Sequence, residues 1–393
     1  MIRRLGLGLL GLLLALAIAF FTLAPGYFDR TMNLVDESGA IAVSDEARAL
    51  HDTLTIVDLH ADTLLWKRDM LDRVDHSHVD LPRLIDGNVA LQVFSSVTKT
   101  PENQNYESNT DETDRITLLA IGQLQPVRTW GSLLERTLWH GTKLDRAVEG
   151  SGGALVAIRD GADVAALLAA RGDAARPVGA MLSVEGLHNL EGDIANLDAL
   201  YDAGVRMAGL AHFFDNEVAG SMHGVTKGGL TSMGRETVRR MEAMGMVVDI
   251  AHCSHQCVAE VLAMARRPVV SSHGGVQATC AVNRNLTDEE IRGVAATGGL
   301  IGVGYWPAAV CGLSPHAIAR AMRHVRDLVG IEHVALGSDF DGTVETAFDT
   351  AGVVQVTQAL LDEGFSEEEI RAAMGGNALR VLAAGIEPMQ GSD

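Results

Sequence analysis

Eight short apolar runs, most of them separated by helical patterns, limit how this chain can fold. The runs fall at residues 55–58, 89–95, 178–183, 205–210, 247–250, 269–271, 300–303 and 334–336. The clearest helical patterns lie at 196–203, 232–244, 256–266, 287–297 and 314–329. Thr287 with Glu290, and Ser366 with Glu369, each fit a reciprocal cap at a helix start. This alternation predicts a parallel sheet with helices outside, either closed as a (β/α)8 TIM barrel or open and doubly wound. A chain of 393 residues that is 47% hydrophobic can fill a core of barrel size. One connection is too long, and residues 97–150 read as an insertion. Its first part, 99–114, is polar, 116–148 is helical in pattern, and 154–158 is a candidate ninth strand.

The N-terminus differs in kind. Arg3 and Arg4 precede an uncharged stretch, 5–23, about long enough to cross a bilayer as a helix. Basic residues ahead of it keep the N-terminus in the cytoplasm, so the remainder is expected outside, periplasmic or extracellular. The rival is a signal sequence cleaved near Ala17-Ile18-Ala19, which would release a secreted protein. The run continues through Phe20 and Phe21, which favours a retained anchor. No cysteine follows it, which argues against a lipoprotein, and 385–393 has no hydrophobic tail for a C-terminal lipid anchor. The expected organisation is an anchor or signal at 1–24, a linker at 25–44 and a barrel domain at 45–388.

Metal-capable side chains recur where the strands are expected to end. His60 and Asp62 follow the first run, Glu185 the third and His212 the fourth. His252 follows the fifth, His273 the sixth, and Asp339 and Asp341 the eighth. In a parallel barrel these positions share one rim, where barrel active sites are built. Neutral imidazoles and carboxylates suit Zn²⁺, and the set exceeds what one ion needs. Two ions roughly 3.5–4 Å apart, sharing a carboxylate, would use it. The net charge of −20 argues against nucleic acid as a partner, since phosphate binding requires clustered Lys and Arg. The four cysteines are too few for a disulfide framework, and Cys253 and Cys257 read as small core residues.

The fragments VDLHADTL, SVEG, GVRMAGLAHFFDN, VVDIAHCS, VVSSHGG, Arg284-Asn285, ALGSDFDG and GGNALRVL stand in the order found in the membrane (renal) dipeptidases. From residue 53 to 383 the chain resembles these zinc metallodipeptidases of the amidohydrolase superfamily. The resemblance implies a (β/α)8 barrel with two Zn²⁺ per subunit that activate a bridging hydroxide for dipeptide hydrolysis. His60 and Asp62 would hold one ion, His252 and His273 the other, and Glu185 would bridge them. His212 would contact substrate and steady the tetrahedral intermediate. Arg284 would bind the free C-terminal carboxylate. Asp339 would be the acid–base residue, with Asp341 the second choice. His188 and His255 have no place in this pattern, and neither does the insertion. Hydrolysis of another small amide or lactam is the alternative activity, and a non-catalytic binding barrel is the alternative class. A homodimer is left open.

Overall fold

The computed structural model describes residues 2–172 and 176–389. The Arg3 side chain and the end of 385–393 lie outside the described residues. The chain opens with α1 (Ile2–Thr22), α2 (Ala24–Met32), β1 (Leu34–Val35), α3 (Asp45–His51), β2 (Ile56–Ala61), α4 (Leu81–Asp86) and β3 (Val89–Val97). The insertion carries α5 (Arg115–Gly122) and α6 (Leu133–Gly150). Then come β4 (Leu155–Ala157), α7 (Gly161–Ala170), β5 (Val178–Glu185), α8 (Asn196–Asp202), β6 (Val205–Gly209), α9 (Ser232–Met244) and β7 (Val247–Asp249). The rest comprises α10 (His255–Met264), β8 (Val270–Ser271), α11 (Asp288–Ala296), β9 (Leu300–Val303), α12 (Pro307–Val310), α13 (Pro315–Val329), β10 (Val334–Leu336), β11 (Glu345–Thr346), α14 (Val354–Asp362), α15 (Glu367–Arg371) and α16 (Asn377–Gly385).

The strand order β3-β2-β10-β9-β8-β7-β6-β5 is closed by pairing of β3 with β5, from Leu91↔Gly179 to Val97↔Glu185. Every pairing is parallel. The eight expected runs therefore form a closed (β/α)8 barrel, not an open sheet. The ninth, β4, adds to the start of β5. The eight strands each give at least one residue to a single apolar cluster, among them Val57, Leu91, Met181, Met207, Val247, Val270, Leu300 and Ala335. A cluster shared by all eight is the filled barrel interior. Leu382 and Ile386, from α16 and the residue after it, belong to it. Both expected capping boxes are present, at the starts of α11 and α15.

Two stretches differ from their sequence reading. Residues 116–148 are not one helix: the chain breaks at 123–132, where Pro126 cannot continue a helix. The stretch 25–44, expected as a linker, holds α2 and β1. Pro25 stands at the start of α2, a position where its missing N–H costs nothing. Asp29 of α2 is buried and accepts from Arg68 Nη1 (2.6 Å), Ser77 Oγ (2.8 Å) and Asn33 Nδ2 (3.0 Å). β1 then pairs with β11 beside the rim. Among the described residues, α1 is the one helix long and apolar enough to cross a membrane.

Candidate metal centre

The C-terminal ends of the strands deliver the rim side chains. β2 carries His60, and Asp62 follows it, held by its N–H to the Phe340 carbonyl (2.9 Å). Glu185 ends β5, and Gly186 after it has φ 90. A Cβ there would lie 2.6 Å from His188 Nδ1 and 3.0 Å from His212 Cβ, so only glycine fits. His252 and Asp339 take φ 65 and 60, a region that non-glycine residues seldom occupy. Such backbone strain tends to gather at functional sites.

Glu185 sits at the centre. Its Oε1 lies 2.9 Å from His252 Nε2, 3.2 Å from His273 Nε2 and 3.8 Å from His60 Nε2. Its Oε2 lies 3.3 Å from His212 Nε2. His60 Nε2 is 3.4 Å from Asp62 Oδ1 and 3.9 Å from Asp339 Oδ1. All these residues are buried. The ligand-capable atoms fall into three overlapping groups: His60, Glu185, His273; Glu185, His212, His252; and His60, Asp62, Asp339.

This donor set fits cations. His60 Nε2 and Asp62 Oδ1 are buried with no hydrogen-bond partner. The Nε2 atoms of His252 and His273 face each other at 3.0 Å. The tautomer of His273 follows from its neighbours: Ser272 Oγ donates its one proton to Asp249 Oδ2 (2.6 Å) and so accepts from His273 Nδ1 (2.9 Å). That leaves the His273 Nε2 lone pair free for an ion. Burial pushes His212, His252 and His273 well below the ordinary imidazole range, into the neutral form that binds metal. It pushes Glu185 up, and neighbouring Asp62 adds to this. Burial lowers His60 too, but Asp62, Glu185 and Asp339 outweigh it and raise His60 to about 10. Crowded carboxylates around buried imidazoles are the imbalance a divalent cation relieves.

The remaining expected residues divide. Arg284 is buried beside the centre; its Nη2 donates to the His273 carbonyl (2.8 Å), and its Nε has no partner. Asp339 and Arg284 line the same cavity, of about 740 Å³, with Asp62, Glu185, His212 and His252. Asp341 faces elsewhere: it accepts from Thr63 Oγ1 (2.8 Å), the His78 N–H (2.9 Å) and the Arg68 guanidinium. This makes it a tie between loops, unlike Asp339. His255 pairs with Glu290 (2.6 Å) at the start of α10, on the surface. His188 bonds Thr98 Oγ1 (2.8 Å) behind His212.

Sequence reasoning missed Tyr106 and Trp306, which also line the cavity. The Tyr106 carbonyl lies 2.9 Å from His223 Nδ1 and accepts from Asn283 Nδ2 at 2.5 Å, while its hydroxyl takes Trp306 Nε1 (3.1 Å). Trp306 follows a strand end and was open to the rim argument; Tyr106 sits in a polar stretch that carries no signal. The cysteines also hold more than expected: Cys280 and Cys311 form a disulfide, while Cys253 and Cys257 are buried and free.

A parallel eightfold barrel with a buried cluster of imidazoles and carboxylates on its rim defines a candidate metallohydrolase. The comparisons narrow that class, for the sequence profile of the membrane dipeptidases (peptidase family M19) matches residues 44–389. The chain belongs to that family. It is 33% identical over 217 residues to the dipeptidase aclJ of Aspergillus oryzae, a match covering 52% of this chain and 51% of that relative. The chain thus spans about half the length of this curated relative. Its fold matches the probable dipeptidase PvdM of Pseudomonas aeruginosa, with TM-score 0.72, 20% identity, 87% of this chain and 98% of that one. It also matches a Rhodobacter sphaeroides metallopeptidase crystallised with a phosphinate mimic of L-Ala-D-Ala, with TM-score 0.70, 21% identity, 85% of this chain and 99% of that one.

Proposed function

We propose that this chain is a dipeptidase with a two-metal centre, acting on the outer side of a membrane. The observation that carries the reading is the convergence on Glu185 of four imidazoles from four different strands, with Arg284 buried in the same cavity. His60 and Asp62 would hold one Zn²⁺, His252 and His273 a second, with Glu185 shared between them. Bound there, such ions polarise a scissile carbonyl and bring the pKa of water toward neutrality. The protein's own groups do the rest. Arg284 offers two parallel donors to the free C-terminal carboxylate of a dipeptide. His212 donates to the carbonyl oxygen as charge gathers on it. Asp339 manages the proton: burial, aided by Asp62 and opposed by His60, raises its carboxyl above the ordinary carboxylate range, which suits it to take a proton from the attacking water and pass it to the leaving amine.

Family membership and the dipeptide mimic in the Rhodobacter relative support small dipeptides, including one with a D-residue, as the class to test. The exported location is supported by α1 and by the Cys280–Cys311 disulfide, which suits an oxidising compartment. The test compares a dipeptide, its C-terminal amide and the corresponding tripeptide on the full-length protein. The expected result is rapid cleavage of the dipeptide alone. Cleavage of the amide with equal efficiency, or of other small amides and lactams in preference, would contradict carboxylate recognition and favour the alternative hydrolase.

A further inference from the structure

The apolar helix and the metal centre are not separated by a tether. Helical hydrogen bonding runs through the junction of α1 and α2, with Leu23 N–H to the Ala19 carbonyl and Tyr27 N–H to the Leu23 carbonyl, both 2.9 Å. α2 is then fixed to the barrel by buried Asp29 and Arg68, and by Asn33, whose Oδ1 accepts from the Thr343 N–H (3.0 Å). Phe28 and Met32 of α2 line the cavity that holds Glu185 and Asp339. At 1.5 Å per residue, Phe28 stands only about 9 Å along the helix from Thr22, the end of α1. The headgroup layer of a bilayer is about 5–8 Å deep on each side. A helix that crosses the membrane therefore delivers the cavity mouth directly to its surface.

A second element meets the same level. α5 packs on this junction: a Cβ on Gly122 would touch Phe20 (3.4 Å) and Pro25 (3.6 Å). Leu118, one turn earlier on the same face of α5, is 60% exposed. Among the described residues, eleven large hydrophobic side chains beyond α1 are exposed, and six of them fall in two short segments here: Leu23, Tyr27, Phe28, Leu118, Leu124 and Val127. Leu124 is held outward at φ 58, a conformation bulky residues seldom adopt. Apolar side chains gathered beside an uncovered apolar helix are an interaction surface, and the bilayer around α1 is the partner continuous with it.

We infer that α2, α5 and the 123–127 turn form a membrane seat, which sets the mouth of the active-site cavity in the lipid headgroup layer so that substrate enters along the bilayer surface. This rests on the reading of α1 as a retained span. The test places nitroxide labels on Leu118→Cys and Val127→Cys in the full-length protein, reconstituted in phosphatidylcholine–phosphatidylglycerol vesicles. A Leu168→Cys label on α7 serves as the control, since Arg171 at the end of that helix bonds the Val89 and Pro177 carbonyls at the strand starts, the opposite rim. The seat requires collisions with oxygen to exceed those with an aqueous nickel complex several-fold at Leu118 and Val127, and the reverse at Leu168. Nickel accessibility at all three in a vesicle-bound chain would overturn the seat alone. Protection of Leu118 and Val127 from both reagents would overturn it in favour of a second copy covering the patch. Recovery of a soluble chain lacking α1 would defeat the span reading and the seat with it.

Discussion

The candidate centre is set by single side chains whose partners fix what they can do. Ser272 is such a residue: it links Asp249 to His273 and holds the tautomer that leaves Nε2 free. Ser272→Ala is expected to lower metal affinity about 10–100-fold without unfolding the barrel, as measured by competition with a chelator. Arg284→Ala is expected to cost about 2–4 kcal/mol in kcat/KM for free dipeptides, the range for losing one buried charged partner. That loss should largely vanish for dipeptide amides, and metal content should stay unchanged. Equal losses on acids and amides would assign Arg284 a structural role. Asp341 answers to stability instead. Burial opposes its charge, but Arg68 and His78 outweigh burial and hold its carboxyl down at about 2. A carboxylate depressed below its unfolded value of about 4 contributes stability above that pH, and the contribution is lost as pH falls from about 4 toward 2. Asp341→Asn is expected to destabilise the protein by about 1.5–3 kcal/mol at neutral pH, by removing one of the two carboxylates that hold buried Arg68, Asp29 being the other. Urea unfolding should show this gap, and a variant as stable as wild type would refute it. The residues themselves were legible because strand ends in a parallel barrel share one rim. Asp339 and Asp341 were not separable by the rim argument: two aspartates two residues apart look alike until the Arg68 contact is seen.

At the scale of elements, the eight strands were readable because each is short, apolar and followed by helix or turn signals. The helix α2 was not, since Pro25-Gly26 looks like a break, and what stabilises the helix is pairing of Asp29 with Arg68, 39 residues away. Long-range pairs of this kind leave no local periodicity. The Cys280–Cys311 disulfide was hidden for the same reason. It closes a segment of 31 residues that contains Arg284. Asn285 ties this segment down from within, donating to the Cys280 (2.8 Å) and Ala309 (2.9 Å) carbonyls. Loop-closure entropy gives such a bridge about 3–4 kcal/mol. Cys311→Ser is therefore expected to lower the unfolding temperature, and reduction of wild type should reproduce the shift. An unchanged Tm under reducing conditions would mean that the bridge contributes nothing.

For the whole molecule, a retained α1 would join span, barrel and centre into one unit. With α1 retained, the full chain should stay with membranes through high-salt washing, because an apolar helix is not held by charge. A soluble form beginning near Phe20 would instead identify a cleaved signal. Fold and rim could be read from the sequence, but how the N-terminal helix meets the barrel could not, because that depends on packing between segments far apart in the chain. The central claim concerns the metal centre, and the most direct measurement is metal content per chain in the detergent-purified, full-length protein, with dipeptide turnover followed before and after chelation. The account predicts about two divalent ions per chain. Both should be weakened together in Glu185→Gln, one mainly lost in His60→Ala, and turnover should be abolished by chelation and restored by Zn²⁺. Only trace metal after incubation with a range of divalent salts, or turnover indifferent to chelation, would contradict it.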